Sequence, residues 1–277
     1  MSPRSRLAGW AAAAPLLVLV ALAVLLPFAW RNGGLLWHCM SGGECAAKDL
    51  FADDYYLRAV LNTIGLALSS TVLALAFGLG AAVAMARLSQ HSRWRGVVSA
   101  LAGLGANFAG VPLAVALTLL LGTQGVLSAG LGLPFVLNSG AGLLLAYLCF
   151  QLPLATLLLL APVQMMLAGG LEEAAATLGA QPLLFWRRVG LPLLLPSFIE
   201  VGSLLFANAA AAYATPFALA GTDANVLAVR IASLVSGDIF AQPELSALLA
   251  LVMFVMLLVV IGGGRWLAAR LQRKASA

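Results

Sequence analysis

Charge is scarce in this 277-residue chain: 9% of its residues are Asp, Glu, Lys or Arg, against 62% hydrophobic, and the mean hydropathy is +1.02. That composition lies far outside the range of soluble globular domains. Histidine is nearly missing as well, with only His38 and His91. The topology argued below places them on opposite faces of a membrane, so they cannot share a catalytic site. No nucleotide-binding motif is present. The glycine clusters GLGANFAG (103–110) and FGLG (77–80) have no strand before them, which excludes a phosphate loop. Their small residues are read instead as allowing close helix packing. No enzyme constellation emerges, and any ATP chemistry must come from another chain.

What the chain does have is long uncharged runs. Leu7 to Trp30 (24 residues), Ala59 to Ala86 (28) and Leu245 to Gly264 (20) each reach the roughly 20 residues that cross the hydrocarbon as a helix. Between Arg95 and Glu172 lie 76 uncharged residues, about 114 Å of helix at about 1.5 Å per residue, so this run folds back. Glycines, Pro134 and Asn138-Ser139-Gly140 mark the loop between its two spans. The sequence thus predicts an all-α membrane protein, a single domain over 1–277, with six spans near 7–30, 59–86, 97–121, 141–166, 193–219 and 245–264.

Lys and Arg near span ends stay on the cytoplasmic side. With both termini inside, Arg4, Arg6, Arg87, Arg93, Arg95, Arg187, Arg188, Arg265, Arg270, Arg273 and Lys274 are cytoplasmic, 11 of the 15 basic residues. Arg31, Lys48, Arg58 and Arg230 are outside. The net charge of +5 therefore reflects membrane asymmetry, and nucleic acid is not an expected partner. The first run has a basic n-region and Ala21-Leu22-Ala23 as a cleavage-like site. Because it continues to Trp30, an uncleaved helix is the reading taken. In the first external loop Cys39 and Cys45 are close enough for a disulfide across Ser-Gly-Gly. A metal site with His38 is the alternative, but the spacing matches no standard zinc pattern. Cys149 reads as a packing residue.

One segment stands apart: EEAAATLGAQPLLFWRRVGLP (172–192) gathers charge, glycine and proline between two apolar runs. Leu171, Ala174 or Ala175, and Leu178 recur at helical spacing, with Glu172 and Glu173 where the helix dipole favours anions. Gly179 is placed to end that helix in the left-handed conformation and Pro182 to begin a second short one, bearing Leu183, Leu184, Trp186 and Leu191. The plain alternative is an interfacial helical hairpin that merely joins two spans.

Glu173-Ala174-Ala175, three residues, Gly179, nine residues, then Val189-Gly190-Leu191-Pro192 resembles the EAA signature of permease subunits of binding-protein-dependent ABC importers, with valine in place of the usual isoleucine. The six-span layout extends the resemblance over nearly the whole chain. It implies a type I importer permease fold in the bacterial inner membrane and a coupling-helix loop over 168–192 that docks on a cytoplasmic ATPase subunit. Glu173, Ala174, Ala175, Gly179, Val189, Leu191 and Pro192 are its expected contact residues. ATP and magnesium would sit on that ATPase, with no cofactor in this chain. A second permease subunit, a periplasmic solute-binding protein and membrane lipid are the other implied partners.

For the translocation path the candidates are Glu200, Ser203 and Asn208 in the fifth span, with Ala207, Ala211 and Thr215 on or beside that stripe, which suits a subunit interface equally well. Asn107 in the third span and Asn62 in the second are further candidates that could instead cap or hydrogen-bond between helices. A carboxylate at depth costs roughly 2.5–3.5 kcal/mol on insertion scales, so Glu200 is expected to face a cavity or a partner, or else to snorkel to the cytoplasm. AAYATPFALAG (211–221) and NFAGVPLA (107–114) look like permeases grouped with polyamine importers, a neighbourhood that includes ferric-iron, thiamine, sulfate and phosphonate systems. The expected solute is therefore small and polar, a polyamine being the specific expectation. An ion-coupled secondary transporter is the rival class; it predicts related halves, discontinuous helices and intramembrane ion ligands, whereas no clear repeat relates 1–138 to 139–277 and only one carboxylate lies deep in a span.

Overall fold

A computed structural model describes residues 15, 18–19, 21–40, 54–89, 92–122, 125–131, 137–236 and 243–275. Among these, all regular structure is helical. Five helices are long and apolar enough to cross a membrane: Asp54–Arg87, Val111–Gly130, Gly140–Ala168, Pro182–Ala210 and Glu244–Arg273. They overlap the second to sixth expected spans, the third only over 111–121 and the fifth from Pro182 to Ala210 in place of 193–219. The first, 7–30, lies largely outside the described residues. Its described part is a π turn (Ala21–Leu25) leading into α1 (Leu26–Met40), which runs on past Trp30, the expected end. Asn32, expected in the external loop, is a buried helical residue whose Nδ2 donates to the Phe28 carbonyl at 2.9 Å. Cys39 falls in the last turn of α1 and Cys45 outside the described residues, so their pairing does too.

The scaffold is the packing of α2 (Asp54–Arg87) along α6 (Gly140–Ala168). The buried residues of α2 include Ala59, Thr63, Ala67, Ser70, Ala74, Gly78 and Ala82, small side chains recurring every three or four positions. In lipid, where apolar side chains gain nothing by leaving an apolar solvent, such a stripe lets two helices reach van der Waals contact over a long length. At Gly78 the approach is close enough that an added Cβ would sit 2.7 Å from Ala155 Cβ. Gly105 similarly lies against Pro153.

Two expected spans are broken. The stretch 97–121 is α3 (Arg93–Asn107) and α4 (Val111–Leu121), separated at Phe108–Gly110. Gly110 has φ +80°, open to glycine at little cost, and Pro112 opens α4 with no N–H to pair backwards. The fifth span ends at Ala210, and after a three-residue gap α10 (Ala214–Ala220) carries the remainder. Hydropathy cannot register such breaks, because every residue in them is uncharged. The short α5 (Val126–Leu131) follows α4.

Two further helices complete the fold. α11 (Leu227–Ser236) is bent 71° from the α10 segment, and α12 (Pro243–Ala275) packs along the fifth span. One core cluster, with Tyr147, Phe150, Leu113, Leu117 and Phe206, surrounds the helix breaks. A second, with Leu159, Val163, Phe185, Leu194 and Leu205, lies toward the 168–192 loop.

Candidate functional site

The loop is built from two left-handed glycines and one short helix. Gly170 (φ +67°) turns the chain out of α6 into α7 (Leu171–Thr177), whose first turn holds Glu172 and Glu173. At the far end Ala180 N–H donates to the Ala175 carbonyl at 3.0 Å and Gly179 N–H to the Ala176 carbonyl at 2.9 Å. With φ +79° at Gly179, this is the Schellman pattern, and the left-handed glycine expected there is present. Nothing lies within 4 Å of a Cβ added to Gly179, so that face is open.

The apolar stripe of α7 is only partly buried. Ala175 packs with Phe185, Trp186 and Leu167, whereas Leu178 is 88% exposed and Leu183, across the turn, 80%. The second short helix is not a separate one. α8 (Pro182–Phe185) passes through a π turn (Trp186–Gly190) into α9 (Leu191–Ala210) without interruption. Pro192 has no N–H to offer its fourth predecessor, and Leu191 N–H reaches back five residues to the Trp186 carbonyl. Gly190 is required by Trp186, whose ring lies 2.9 Å from where a Cβ would be. The Val189-Gly190-Leu191-Pro192 motif thus spans the end of the π turn and the first two residues of α9, with Val189, Leu191 and Pro192 exposed.

The loop is also fastened sideways. Glu172 accepts from Arg87 Nη2, in the last turn of α2, at 2.8 Å. Both groups are partly exposed, which limits such a pair to about 1 kcal/mol or less, but it fixes where α7 lies. Beside it Ala86, Arg87, Leu167, Glu172, Glu173 and Ala176 line a recess of ≈ 340 Å³. Sequence reading used Arg87 for orientation only; nothing local marks it as the partner of a residue 85 positions away.

At the other end of α9 the four proposed path residues separate. Glu200 and Asn208 share an exposed face with Leu204 and Ala211, at helical spacing, while Leu194, Val201, Leu205 and Ala209 are buried behind them. No described residue forms an ion pair with Glu200. Ser203 does not belong to that face. It is buried against Gly264 of α12, where a Cβ would collide with its hydroxyl, and that hydroxyl donates to the Ile199 carbonyl at 2.7 Å. Asn107 is exposed at the end of α3, and its Nδ2 donates to the Gly103 carbonyl at 2.9 Å.

The helix breaks are held by Thr215, expected beside the translocation stripe, and by Tyr147, which periodicity did not single out. Gly110 N–H donates to Oγ1 of the buried Thr215 at 2.9 Å, tying the break in the third span to α10. Tyr147 Oη donates, at a long 3.5 Å, to the Ala212 carbonyl in the other break. Backbone freed from helical pairing inside a membrane has to be satisfied in this way. Buried Gln151 donates through Nε2 to the Leu205 carbonyl at 3.3 Å, joining α6 to α9. Tyr213 and Phe217 flank the break, stacked at 5.1 Å and 20°, and both are about 40% exposed (39% and 42%). The one available signal for these residues was polarity within an uncharged span.

Near the α10–α11 bend, Asn62, Ser69, Asn138, Asp223 and Asn225 help to line a cavity of ≈ 540 Å³. Asn62 acts there as an interhelical tie, donating to the Asn225 carbonyl at 3.1 Å. Among the described residues no three His, Cys, Asp or Glu side chains converge as metal ligands.

Known proteins share both sequence and fold with this chain. It is 30% identical over 197 residues to the trehalose transport system permease protein SugB of Mycobacterium tuberculosis, covering 71% of this chain and 67% of that protein. It is 35% identical over 89 residues to the probable ABC transporter permease protein y4fN of Sinorhizobium fredii, covering 32% of this chain but only 15% of that one. A chain of the bacterial alginate ABC transporter, solved in complex with alginate pentasaccharide-bound periplasmic protein, superposes with a TM-score of 0.76 at 16% identity, over 96% of each chain. A chain of the MetNI methionine ABC transporter gives 0.57 at 18%, over 78% of this chain and 95% of that one. No protein-family model matches.

Proposed function

This chain belongs to the ABC importer permeases, a family of multi-pass membrane proteins, and from that premise we propose that it forms one half of an ATP-driven path for a small polar solute. Its whole length then acts as one transmembrane domain, with both termini and the 168–192 loop cytoplasmic, in the bacterial inner membrane. A second permease subunit completes the path, an ATPase pair binds ATP and magnesium, and a periplasmic binding protein delivers the solute.

The observation that carries this reading is the rigid path from loop to span. The exposed Leu178 and Leu183 present an apolar tip suited to a groove on the ATPase. From Pro182 to Ala210 the chain is one helix of 29 residues, so a displacement of the tip moves the whole of α9. Glu200 and Asn208 ride on that helix. Beyond it Thr215 and Gly110 hold α10 to α4, which leaves residues 211–213 as the joint where motion is taken up. ATP binding would draw the two loops together and turn the cavity outward, and hydrolysis would reset it. This chain contributes no catalytic group.

For the solute we favour a carbohydrate over the polyamine expected from sequence. Near the α9–α10 break lie a stacked aromatic pair and one amide, Asn208, while the single carboxylate of that helix face, Glu200, stands about 16 Å along the helix from the break. A planar aromatic surface with a few oriented polar groups suits a hydroxylated ring, and one carboxylate is few for a polycation. The trehalose and alginate systems named above agree with that direction. Polyamine remains the second reading because Glu200 and the Tyr213 ring could both attract ammonium groups. The test is uptake of labelled solute into proteoliposomes holding the purified importer with its binding protein. ATP-dependent uptake competed by disaccharide supports the proposal; competition by spermidine alone selects the second reading, and uptake driven by an ion gradient without ATP overturns both.

A further inference from the structure

Between α2, α3 and α6 lies an apolar groove of ≈ 520 Å³, lined by none of the residues named for the path or the coupling loop. Ala81, Ala84, Met85 and Leu88 form one wall, Val98, Leu101 and Ala102 a second, and Leu152 and Pro153 the floor. At Pro153 the floor meets α3 closely, since a Cβ added to Gly105 would lie 2.9 Å from the proline ring. The one polar side chain in the lining is Thr156, and its hydroxyl already donates to the Leu152 carbonyl at 2.8 Å. A polar solute or a water chain would find no convergent partners there.

The mouth has the opposite character. Leu88, the first residue beyond α2, offers its carbonyl to Arg95 Nη1 at 3.4 Å, so a guanidinium stands at the groove entrance. Arg93 and Trp94 beside it are exposed, Trp94 at 72%. From this mouth to Ala81 is seven residues of helix, about 10 Å at about 1.5 Å per residue. An apolar slot of that depth, opening beneath two arginines and a tryptophan at the end of a span, matches the two-part chemistry of a phospholipid: acyl chain in the slot, anionic headgroup on the cations, indole at the interface. We propose that this groove is a binding site for one anionic phospholipid, held by Arg95 and Arg93. The site rests on the membrane-spanning reading and, for its assignment to the inner leaflet, on the orientation proposed above.

The full-length chain, purified in mild neutral detergent, can be titrated with phosphatidylglycerol and, separately, phosphatidylcholine, with bound lipid counted by native mass spectrometry. This readout needs neither ATPase nor uptake, so its failure leaves the importer reading intact. Wild type should retain phosphatidylglycerol in preference to phosphatidylcholine. Removing each cation should weaken phosphatidylglycerol retention about five-fold, the effect of one basic residue near an anionic surface, so Arg95→Gln and Arg93→Gln should each show that drop and Arg95→Lys should not. Ala84→Phe, filling the slot from an exposed helix position, should abolish the preference with both arginines intact. Equal retention of the two lipids by wild type, unchanged retention in Arg93→Gln/Arg95→Gln, or crosslinks from Ala84→Cys to polypeptide and none to lipid would each overturn the proposal.

Discussion

Substituting Gly179 separates backbone strain from surface charge at the proposed docking tip. With φ +79° and empty space around its Cβ position, Gly179→Ala meets no neighbour, so its whole cost is the left-handed backbone, about 1–2 kcal/mol. That shifts the ratio of Schellman to other loop geometries by about 5- to 30-fold, and ATPase affinity falls in proportion once the competent form stops being dominant. Gly179→Asn should be milder, because asparagine tolerates this conformation. Gly179→Asp tolerates it too, but places an anion at the C-terminus of α7, unfavourable by about 0.3–1 kcal/mol, and in the contact surface. The expected order of ATPase co-purification and uptake is Gly, then Asn, with Ala and Asp lower. Membrane abundance should be equal in all four, since nothing lies within 4 Å of a Cβ added at this position. If Ala matched Gly in both assays, the loop geometry would be irrelevant to coupling. If Asn were as damaging as Asp, strain and charge would both be the wrong explanation.

The remaining predictions concern the spans. Thr215→Val leaves the Gly110 N–H without its 2.9 Å acceptor, a loss of about 1–3 kcal/mol; the melting temperature of the purified chain should fall, with Thr215→Ser restoring it, and equal melting of Val and Thr would contradict the account of the breaks. Gly78→Leu should reduce folded protein in the membrane because its Cβ falls 2.7 Å from Ala155 Cβ, whereas Gly80→Leu, with nothing within 4 Å, should not; fluorescence-detected size exclusion compares the two. Glu200→Leu should lower solute uptake while leaving ATPase co-purification unchanged, since the residue lies on the exposed face of α9; unaltered uptake kinetics would remove Glu200 from the path.

The sequence alone carried a good deal. That the chain is helical and crosses a membrane several times follows from run length and charge, because the cost of charge in hydrocarbon is incurred residue by residue and leaves its mark locally. The end of α7 was legible for the same kind of reason: Gly179 sits between a helical stripe and a proline, and left-handed backbone is a local need. Only the tertiary structure decided the rest. The breaks at 108–110 and 211–213 fall in uncharged sequence and depend on Thr215 and Tyr147 reaching them from other elements. Ser203 and Glu200 lie three residues apart on one helix, yet Gly264 of α12 buries the first and leaves the second exposed. Arg87 meets Glu172 across 85 residues. Periodicity states which residues share a face of one helix, and it is silent about which neighbour that face will meet.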